Sequence, residues 1–360
     1  AYAAARRGLK VRVFERSERA LGASVRNFGM GLITGQAPGP MLDLARASRP
    51  IWAGWAAAAG FAVKREGSLL FARSEAEERL LEAFCAGRAR EHGYRVELLG
   101  REALGSICAG RFRHHRAALH GFDDQQLYSR EALPALAAWL AREFGVEFHF
   151  ATLVRDVEPG LLHTTAGRFQ AGQIVVCSGH DYLTLLAEQL RALEPQVCRL
   201  QMLRVAPQQA LDLQHAVLTG LSGVHYGAFA DLPEAEAVRQ QIRRECPALE
   251  RFGIHLLVSP TPSGELIIGD SHDYGQDASP FNAEEVDKLL LQLAEHTLAT
   301  PLRVIERWQG VYGGRGPAPF SVTKAAEGVT AMLMHTGLGM SVGPALGERT
   351  IAALLGEPAG

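Results

Sequence analysis

The spacing of apolar and polar positions changes repeatedly along the chain, and these changes predict a mixed α/β protein. Residues 1–8 are typical of the end of a helix that stops at Gly8, and residues 10–15 alternate as a strand does. Residues 41–60 predict an amphipathic helix that contains two tryptophans. The same periodicity predicts further helices at residues 75–93, 101–106, 129–145, 282–298 and 344–355.

Short alternating or continuous apolar runs between turn residues predict strands in every part of the chain. No tandem repeat or low-complexity linker separates them, so two domains, if present, are expected to be interleaved. The middle of the chain is expected to be rich in strands. The predicted strands are residues 67–72, 117–123, 146–151, 153–158, 161–169, 172–179, 201–206, 224–230, 253–259, 265–270, 303–308 and 332–335.

Composition excludes several classes of protein. A chain of 360 residues with 47% hydrophobic residues can bury a large core. The 37 basic and 39 acidic residues leave a formal charge of −2, so no strong field favours nucleic acid or an anionic membrane. No run of 18 apolar residues predicts a membrane span. We therefore expect a cytoplasmic protein with no nucleic-acid or membrane partner.

Neither the cysteines nor the group of neighbouring histidines forms the ligand pattern of a metal site. The five cysteines are odd in number and lack CxxC spacing, which disfavours structural zinc and a disulfide framework. His114, His115 and His120 lie close together in sequence, but no carboxylate or cysteine completes a ligand pattern. We expect His114 and His115 to be a surface pair, and we predict no metal. The adjacent Asp123 and Asp124 are predicted to form a solvated turn.

Three separated segments carry the chemical signal of the chain. They are the strand that ends at Glu15, the buried strand that ends in Ser178-Gly179, and the glycine-rich turn 336–343 before the last helix. In a dinucleotide-binding βαβ unit, a strand leads through GxGxxG into a helix, and the second strand ends in an acidic residue. The first residues read as the end of such a helix. We therefore expect the glycine loop before it to be missing from this sequence.

Together these segments resemble the D-amino-acid-oxidase (DAO) family of FAD-dependent oxidoreductases. The resemblance implies an α/β fold, with a Rossmann-like FAD-binding domain of the glutathione-reductase type interleaved with a β-rich substrate domain. It places residues 1–70, 130–190 and 325–360 in the FAD-binding domain, and 71–129 and 191–324 in the substrate domain. None of the cysteines lies in the C-terminal segment where some relatives tether the flavin, so non-covalent FAD is expected. Whether the chain retains FAD without the glycine loop is left open.

The resemblance also implies which residues contact FAD. Glu15 would hold the adenosine ribose, and the backbone of Val154 would meet adenine. Loop amides near the flavin O2 edge would suit the negative charge that reduced flavin develops there. The cofactor-binding residues implied in this way are Glu15, Arg16, Ser24, Arg26, Asn27, Gly29, Val154, Ser178, Gly179, Gly337, Leu338, Gly339, Met340 and Ser341.

Four stretches resemble more narrowly the FAD-dependent amine oxidases associated with phosphonate catabolism. They are residues 22–29, 264–274, 307–312 and 337–341. This resemblance implies oxidation of N-methylated or primary 2-aminoethylphosphonate by hydride transfer to flavin N5. The imine would hydrolyse, and hydrogen peroxide would form if oxygen were the electron acceptor. Oxygen and another acceptor both remain open.

The substrate pocket departs from the pattern of amino-acid oxidases in this family. Those enzymes commonly place an arginine after the Trp-x-Gly strand to clasp a carboxylate, whereas Tyr312 stands near that position here. Arg315 either fills the role from a shifted position, or the anionic group is not a carboxylate. A phosphonate needs several donors, and we predict that they come from His225, Tyr226, His272, Tyr274, Tyr312 and Arg315. Asp270 lies close to His272 in the sequence. It either belongs with these polar residues or is an ordinary turn-forming residue.

No residue is predicted with certainty to be catalytic, and other functions stay open. One alternative is a glycine, sarcosine or D-amino-acid oxidase of the same fold. A second is a 2-hydroxy-acid dehydrogenase on a similar scaffold, and a third is a flavin-binding protein without catalytic activity. Reduction of the flavin by an amine, by an alcohol or by neither would distinguish these classes.

Overall fold

Helices and strands alternate along the whole of the computed structural model, which describes residues 1–358. The helices are α1 (Tyr2–Ala5), α2 (Pro40–Ala59), α3 (Glu75–Ala86), α4 (Arg88–Glu91), α5 (Arg101–Leu104), α6 (Ser129–Phe144), α7 (Ala187–Arg191), α8 (Ala235–Glu245), α9 (Pro247–Arg251), α10 (Glu284–Leu298) and α11 (Gly339–Leu354). Two short 3-10 helices add Cys108–His114 and Gly220–Val224. None of the helices within the described range is long and apolar enough to cross a membrane.

Most of the strands are short, and two are much longer than the others. The strands are β1 (Arg12–Phe14), β2 (Met30–Gly31), β3 (Val63–Lys64), β4 (Ser68–Ala72), β5 (Val96–Gly100), β6 (Ala117–Gly121), β7 (Gln125–Leu127), β8 (Glu147–His149), β9 (Val154–Glu158), β10 (Leu161–Thr164), β11 (Gly167–Gln170), β12 (Ile174–Val176), β13 (Gln196–Pro207), β14 (Ala216–Thr219), β15 (Leu257–Pro260), β16 (Leu266–Gly269), β17 (Asp273–Gly275), β18 (Leu302–Arg315), β19 (Phe320–Ala326) and β20 (Val329–Met334).

A nine-stranded mixed sheet organises the molecule around the long antiparallel pair β13 and β18. On the other edge of β13 lie β16 and β17, and the sheet continues through β15, β14, β4 and β6 to β5. Only β14 and β4 pair in parallel. Because β13 is bonded along both edges, it is the central strand of this end of the sheet.

The two faces of the large sheet pack against different parts of the chain. Side chains alternate across a strand, so Leu200 and Met202 face one side while Leu203 and Val205 face the other. The first pair packs in a core that also contains Phe28 and other residues near the start of the chain. The second pair packs on the inner side of α10. Burial of both faces explains why β16 is a continuous apolar run and why β13 places apolar residues on both of its faces.

The rest of the chain forms smaller sheets with helices against them. The pairs β1–β8 and β12–β20 are parallel, and β19 extends the second of them. Helices α2 and α11 pack against each other, and the Ala345 N–H donates to Ser48 Oγ at 3.0 Å. Parallel strands with helices beside them confirm the predicted α/β class. Strand β4 pairs with β6 and β14, so the boundary expected at residue 70 cuts a strand of the large sheet.

The main helices and the long strands lie where their periodicity predicts them, and one predicted strand is wrong. Residues 224–230 form the end of a 3-10 helix followed by turns, in which the N–H groups of His225 and Tyr226 both reach Ser222 O. Gly227, in the middle of this stretch, has no side chain to pack in a sheet and weakens a strand there. Helix α8 and strand β19 were not predicted.

The expectation of a surface pair is wrong for His115. Its neighbour His114 is exposed, whereas His115 is buried with its ring stacked on Phe71 at 4.1 Å between centroids. His115 Nε2–H donates to Thr297 O at 2.9 Å. Burial lowers the pKa of His115 to about 4, because the charged form cannot be hydrated there.

This burial predicts a specific acid sensitivity. Neutral His115 contributes fully above pH 6.5, and the contribution is lost as the pH falls from 6.5 towards 4, because only the unfolded chain takes up the proton. The free energy of unfolding should fall by about 1.4 kcal/mol per pH unit across this window. Urea unfolding at several pH values should give a slope that is steeper by this amount in the wild type and in His114→Gln than in His115→Gln, because other buried histidines such as His255 add to the total slope of all three proteins. Equal slopes in the wild type and His115→Gln would contradict the assignment.

Candidate active site

A buried stretch of backbone, residues 31–36, joins the two main parts of the molecule. Only its first residue is paired in a strand, so its other N–H groups need partners elsewhere. The Leu32 N–H donates to Ser341 Oγ at 2.9 Å, which ties the segment to α11. At the other end, the Ala228 N–H donates to Gly35 O at 3.3 Å, close to the predicted substrate residues.

Asp124 holds the middle of this segment. Its Oδ1 accepts the N–H groups of Ile33 and Thr34 at 2.5 and 2.9 Å, and its Oδ2 accepts the Ser68 hydroxyl at 2.6 Å. The prediction of a solvated turn is wrong for Asp124, which is 0% exposed. Burial raises the pKa of Asp124, while these hydrogen bonds act in the opposite direction. The buried Asp124 carboxylate therefore serves as the acceptor for these three donors.

Three neighbouring strands bring Tyr274, Cys198 and Tyr312 into one row. Cys198 on β13 pairs with Tyr274 on β17 and with Tyr312 on β18. Burial raises the pKa of Tyr274 to about 12 and holds that of Tyr312 above its ordinary value. Both hydroxyls therefore keep their protons at neutral pH and can donate hydrogen bonds.

Arg315 extends this row at the exposed end. Its Cζ lies 4.1 Å from the centre of the Tyr274 ring, in a cation–π contact. Gly314 makes room for this arrangement, because a Cβ there would lie 2.5 Å from Cys198 Cβ and 3.0 Å from the Tyr274 ring. The guanidinium is exposed, so its donors face solvent at the sheet edge.

The other end of the row meets the glycine-rich turn before α11. A Cβ on Gly337 would lie only 3.2 Å from Tyr312 Cζ, so a side chain at Gly337 would push the two apart. The turn is held from behind, since Trp52 Nε1–H donates to Met340 O at 2.8 Å. Tyr312 therefore links the large sheet to the start of α11.

A second polar group contains three imidazoles and one carboxylate. The ring centroids of His225 and His255 are 3.9 Å apart, and each lies 4.8 Å from that of His272. The Asp270 carboxylate lies 3.8 Å from His255 Nε2 and 4.0 Å from His272 Nε2. Burial raises the pKa of Asp270 to about 6 and lowers that of His255. Sequence reasoning missed His255, and it treated Asp270 as an alternative turn residue.

All six predicted substrate residues fall on one continuous polar surface. His272 and Tyr274 join the histidine group to the tyrosine row, with ring centroids 6.2 Å apart. Tyr226 packs beside His225 and over Gly35, where a Cβ would come within 3.1 Å of its ring. We call this surface, His225, Tyr226, His272, Tyr274, Tyr312 and Arg315, the polar face.

The predicted cofactor residues near the start of the chain follow β1 in sequence, between residues 15 and 29. Glu15 follows this strand, and its carboxylate accepts the Ser17 N–H at 2.8 Å. Arg16 pairs with Asp181 at 2.8 Å. Asn27 closes its own loop by accepting the Gly29 N–H at 2.7 Å.

Gly29 and the exposed side chains nearby have different roles. Gly29 has a φ of +69°, and a Cβ there would overlap Leu127 O, so packing alone requires this glycine. Ser24 and Arg26 are exposed, and their polar groups are open to a ligand.

The later cofactor residues lie after β12, at the start of β9 and around the start of α11. Val154 begins β9, and Ser178 and Gly179 follow β12. Ser178 Oγ is buried without a hydrogen-bond partner among residues 1–358. An unpaired buried hydroxyl carries a cost that a bound group would remove. The members at α11 are Gly337, Leu338, Gly339, Met340 and Ser341, of which Ser341 is already bonded to the buried segment.

The model of the DAO family, described as FAD dependent oxidoreductase, matches residues 1–353. The chain therefore belongs to this family of FAD-dependent oxidoreductases. The available side chains fit that cofactor: a free buried hydroxyl at Ser178, exposed donors at Ser24 and Arg26, and bare backbone at Gly337. A search of curated proteins found no significant match.

Solved structures share the fold at low sequence identity. Glycine oxidase from Geobacillus kaustophilus is 19% identical, with a TM-score of 0.76 over 99% of this chain and 91% of that one. L-proline dehydrogenase from P. horikoshii is 16% identical, with a TM-score of 0.77 over 98% and 89%. FAD-bound L-alpha-glycerophosphate oxidase from Mycoplasma pneumoniae is 17% identical, with a TM-score of 0.74 over 98% and 91%. This likeness confirms the predicted fold.

We predict that the Asp124 carboxylate is essential for stability. In Asp124→Ala, two backbone N–H groups and the Ser68 hydroxyl lose their acceptor, and each buried unsatisfied group costs about 1–3 kcal/mol. Urea unfolding should show a loss of about 3 kcal/mol or more. Asp123→Ala removes a surface pair with Arg95 and should cost less than about 1 kcal/mol. Similar losses in both variants would contradict this assignment.

Proposed function

We propose that the protein oxidises a small amine that carries an anionic group, and that this amine is N-methylated or primary 2-aminoethylphosphonate. The observation that supports the proposal is the polar face, which runs from the Gly337 turn to the exposed guanidinium of Arg315. Its groups are donors rather than carboxylates along the tyrosine row, which suits an anion with several acceptor oxygens.

FAD, when bound, supplies the acceptor for the hydride that leaves the carbon next to the substrate nitrogen. The residues that would hold it are those around the end of β1 and the start of α11. Glu15 suits the ribose, and Ser178 Oγ has an unused hydrogen bond to offer. The missing side chain at Gly337 lets the Tyr312 ring lie against the turn that would border the flavin. Non-covalent binding remains a prediction.

The chain's own residues would orient the substrate along the polar face. Tyr312 is the member nearest to the Gly337 turn, so the amine end of the substrate belongs there. Arg315 and Tyr274 lie farther along the row, where the anionic end would be bound. A guanidinium can bind two oxygens of one phosphonate group, while the tyrosine hydroxyl donates to a third. No side chain is assigned as a base.

The carboxylate-binding alternatives would use the polar face differently. In a glycine, sarcosine or D-amino-acid oxidase, the carboxylate lies next to the oxidised carbon, so its partner must be near the Gly337 turn. Tyr312 rather than an arginine occupies that place. Arg315 stacks on the far tyrosine, which suits a substrate whose anion is separated from its nitrogen by a longer spacer.

The experiment mixes the FAD-loaded full-length protein anaerobically with each of a panel of substrates. Reduction of the flavin is measured as the loss of its visible absorbance. N-methyl-2-aminoethylphosphonate and 2-aminoethylphosphonate should bleach the flavin, whereas sarcosine, D-alanine and a 2-hydroxy acid should do so slowly or not at all. Faster bleaching by sarcosine or D-alanine would replace the phosphonate proposal with an amino-acid oxidase. Reduction by the hydroxy acid alone would exclude amine oxidation.

We predict that Arg315 contributes mainly to substrate affinity. Loss of a charged hydrogen bond of about 1.5–3 kcal/mol corresponds to a roughly 10–100-fold rise in KM. Arg315→Ala should show this rise for the phosphonate amine with a smaller change in kcat, and Arg315→Lys should recover only part of the affinity.

Arg303→Ala is a matched control for this prediction, because Arg303 is an exposed arginine at the opposite end of the same strand. Its KM should equal that of the wild type. An unchanged KM in Arg315→Ala, or an equal rise in both alanine variants, would remove Arg315 from the proposed pocket.

A further inference from the structure

We propose that His225, His255, His272 and Asp270 bind one divalent metal ion of the zinc type. Ligand atoms of the three histidines lie within 4.8 Å of one another, and the Asp270 carboxylate lies beside two of them. Three imidazoles and a carboxylate are a donor set that zinc and similar ions use in proteins. The residues come from three separate stretches of the chain, so the sequence alone does not predict the site from a ligand spacing.

The hydrogen bond of His272 orients one ring for metal binding. Its Nδ1 lies 2.8 Å from Gly253 O, and because a carbonyl only accepts, Nδ1 must carry the hydrogen. The lone pair of a neutral ring is then on Nε2, the atom that faces Asp270. Histidines that bind metals usually donate their other N–H to a carbonyl or carboxylate in this way.

His255 and Asp270 present two buried atoms that need a partner. His255 Nδ1 lies 3.4 Å from Ser222 Oγ, while His255 Nε2 and Asp270 Oδ1 lack a hydrogen-bond partner among residues 1–358. These two atoms are 3.8 Å apart, too far for a hydrogen bond. Two ligands that are each about 2.1 Å from the same ion lie at most about 4.2 Å apart, so this gap fits a shared ion. The three histidine atoms span up to 4.8 Å and their rings are stacked, so the rings must turn and draw closer when the ion binds.

His225 is the fourth proposed metal ligand, and it lies on the solvent-exposed side of the histidine group. It is exposed, whereas the side chains of His255 and His272 are 5% and 6% exposed, so His225 is the ligand that can swing towards an entering ion. A pocket of about 210 Å³ reaches His225 and His255 from the surface; its wall contains both Arg239 and Glu250, and Glu250 is paired with Arg243. This pocket gives the ion a path to the buried ligands.

The ion would also add a second positive group beside Tyr274, where the proposed function binds the anionic end of the substrate; this part rests on the proposed function, whereas the metal site itself does not. A divalent ion with one carboxylate ligand leaves a net positive charge beside His272 and Tyr274. Zinc sites can expand to five ligands, which leaves a position for a phosphonate oxygen.

The test measures metal binding directly in the FAD-loaded full-length protein. After chelator treatment, the protein is incubated with ZnCl2 or CoCl2, desalted, and analysed for metal content and for the visible spectrum of bound Co²⁺. We expect one ion per chain, with the absorption of Co²⁺ in a low-symmetry nitrogen and oxygen site. Zinc should also raise the melting temperature.

Glutamine variants of the ligands are the first comparison. His225→Gln removes the exposed ligand, so it is the variant least prone to misfold, and His272→Gln and Asp270→Asn test the buried side. The metal affinity of each should fall by more than the roughly 10–100-fold that loss of a ligand's outer hydrogen-bond partner costs. His120→Gln is the matched control, because His120 donates to Glu66 O outside the cluster. It should bind zinc as the wild type does.

The outcomes separate the metal site from the proposed function. Substoichiometric metal in the wild type, or equal binding by the wild type and His225→Gln, would overturn the metal site whatever the enzyme oxidises. Stoichiometric metal that is lost in the ligand variants supports it even if no phosphonate amine reduces the flavin. If metal removal raises the KM for the phosphonate amine, the ion also serves the anionic end; an unchanged KM would overturn that role alone.

Discussion

The structure depends on a buried stretch of backbone that has almost no strand pairing of its own. Residues 31–36 pass between the large sheet and α11, and their N–H groups would be unsatisfied without side-chain acceptors. Asp124 accepts two of them, and Ser341 accepts a third. One carboxylate and one hydroxyl therefore fix the position of α11 relative to the predicted substrate residues of this FAD-dependent oxidoreductase.

The same arrangement places the polar side chains of the proposed site at one end of the large sheet. Along β13, apolar residues on one face pack under the start of the chain, and the row then becomes polar at Cys198 with Tyr274 and Tyr312 beside it. This change occurs where the Gly337 turn reaches the sheet. Desolvation keeps the tyrosines protonated, so the row offers donors but no negative charge. The proposed preference for an anionic amine follows from that distribution.

Sequence periodicity predicted much of the architecture, and its failures have clear physical causes. Helices α2, α6 and α10 each present a regular apolar stripe, and β13 lies in a β-branched and aliphatic run, so local pattern and tertiary burial agree. The strand expected at 224–230 is wrong because the N–H groups of His225 and Tyr226 turn back to Ser222 O, and this turn places His225 in the histidine group. Local pattern could not identify this change.

The polar face could be predicted as a set, but its organising residues could not. Three of the six predicted substrate residues, His272, Tyr274 and Tyr312, lie in stretches that resemble one family, and the structure places all six close together. Asp124 and His255 carry no local signal, because their importance comes from partners far away in sequence. A buried carboxylate next to an exposed one looks like any acidic turn until its amide partners are known.

The most direct measurement is a crystal structure of the FAD-loaded protein with ethylphosphonate, an anion that has no amine to oxidise. We predict that the phosphonate oxygens lie within hydrogen-bond distance of Arg315 or Tyr274. If the metal site is occupied, we expect them instead as ligands of the ion held by His272 and its neighbours. A phosphonate bound away from the polar face, with Tyr274 and Arg315 still stacked on each other and contacting only solvent, would contradict it.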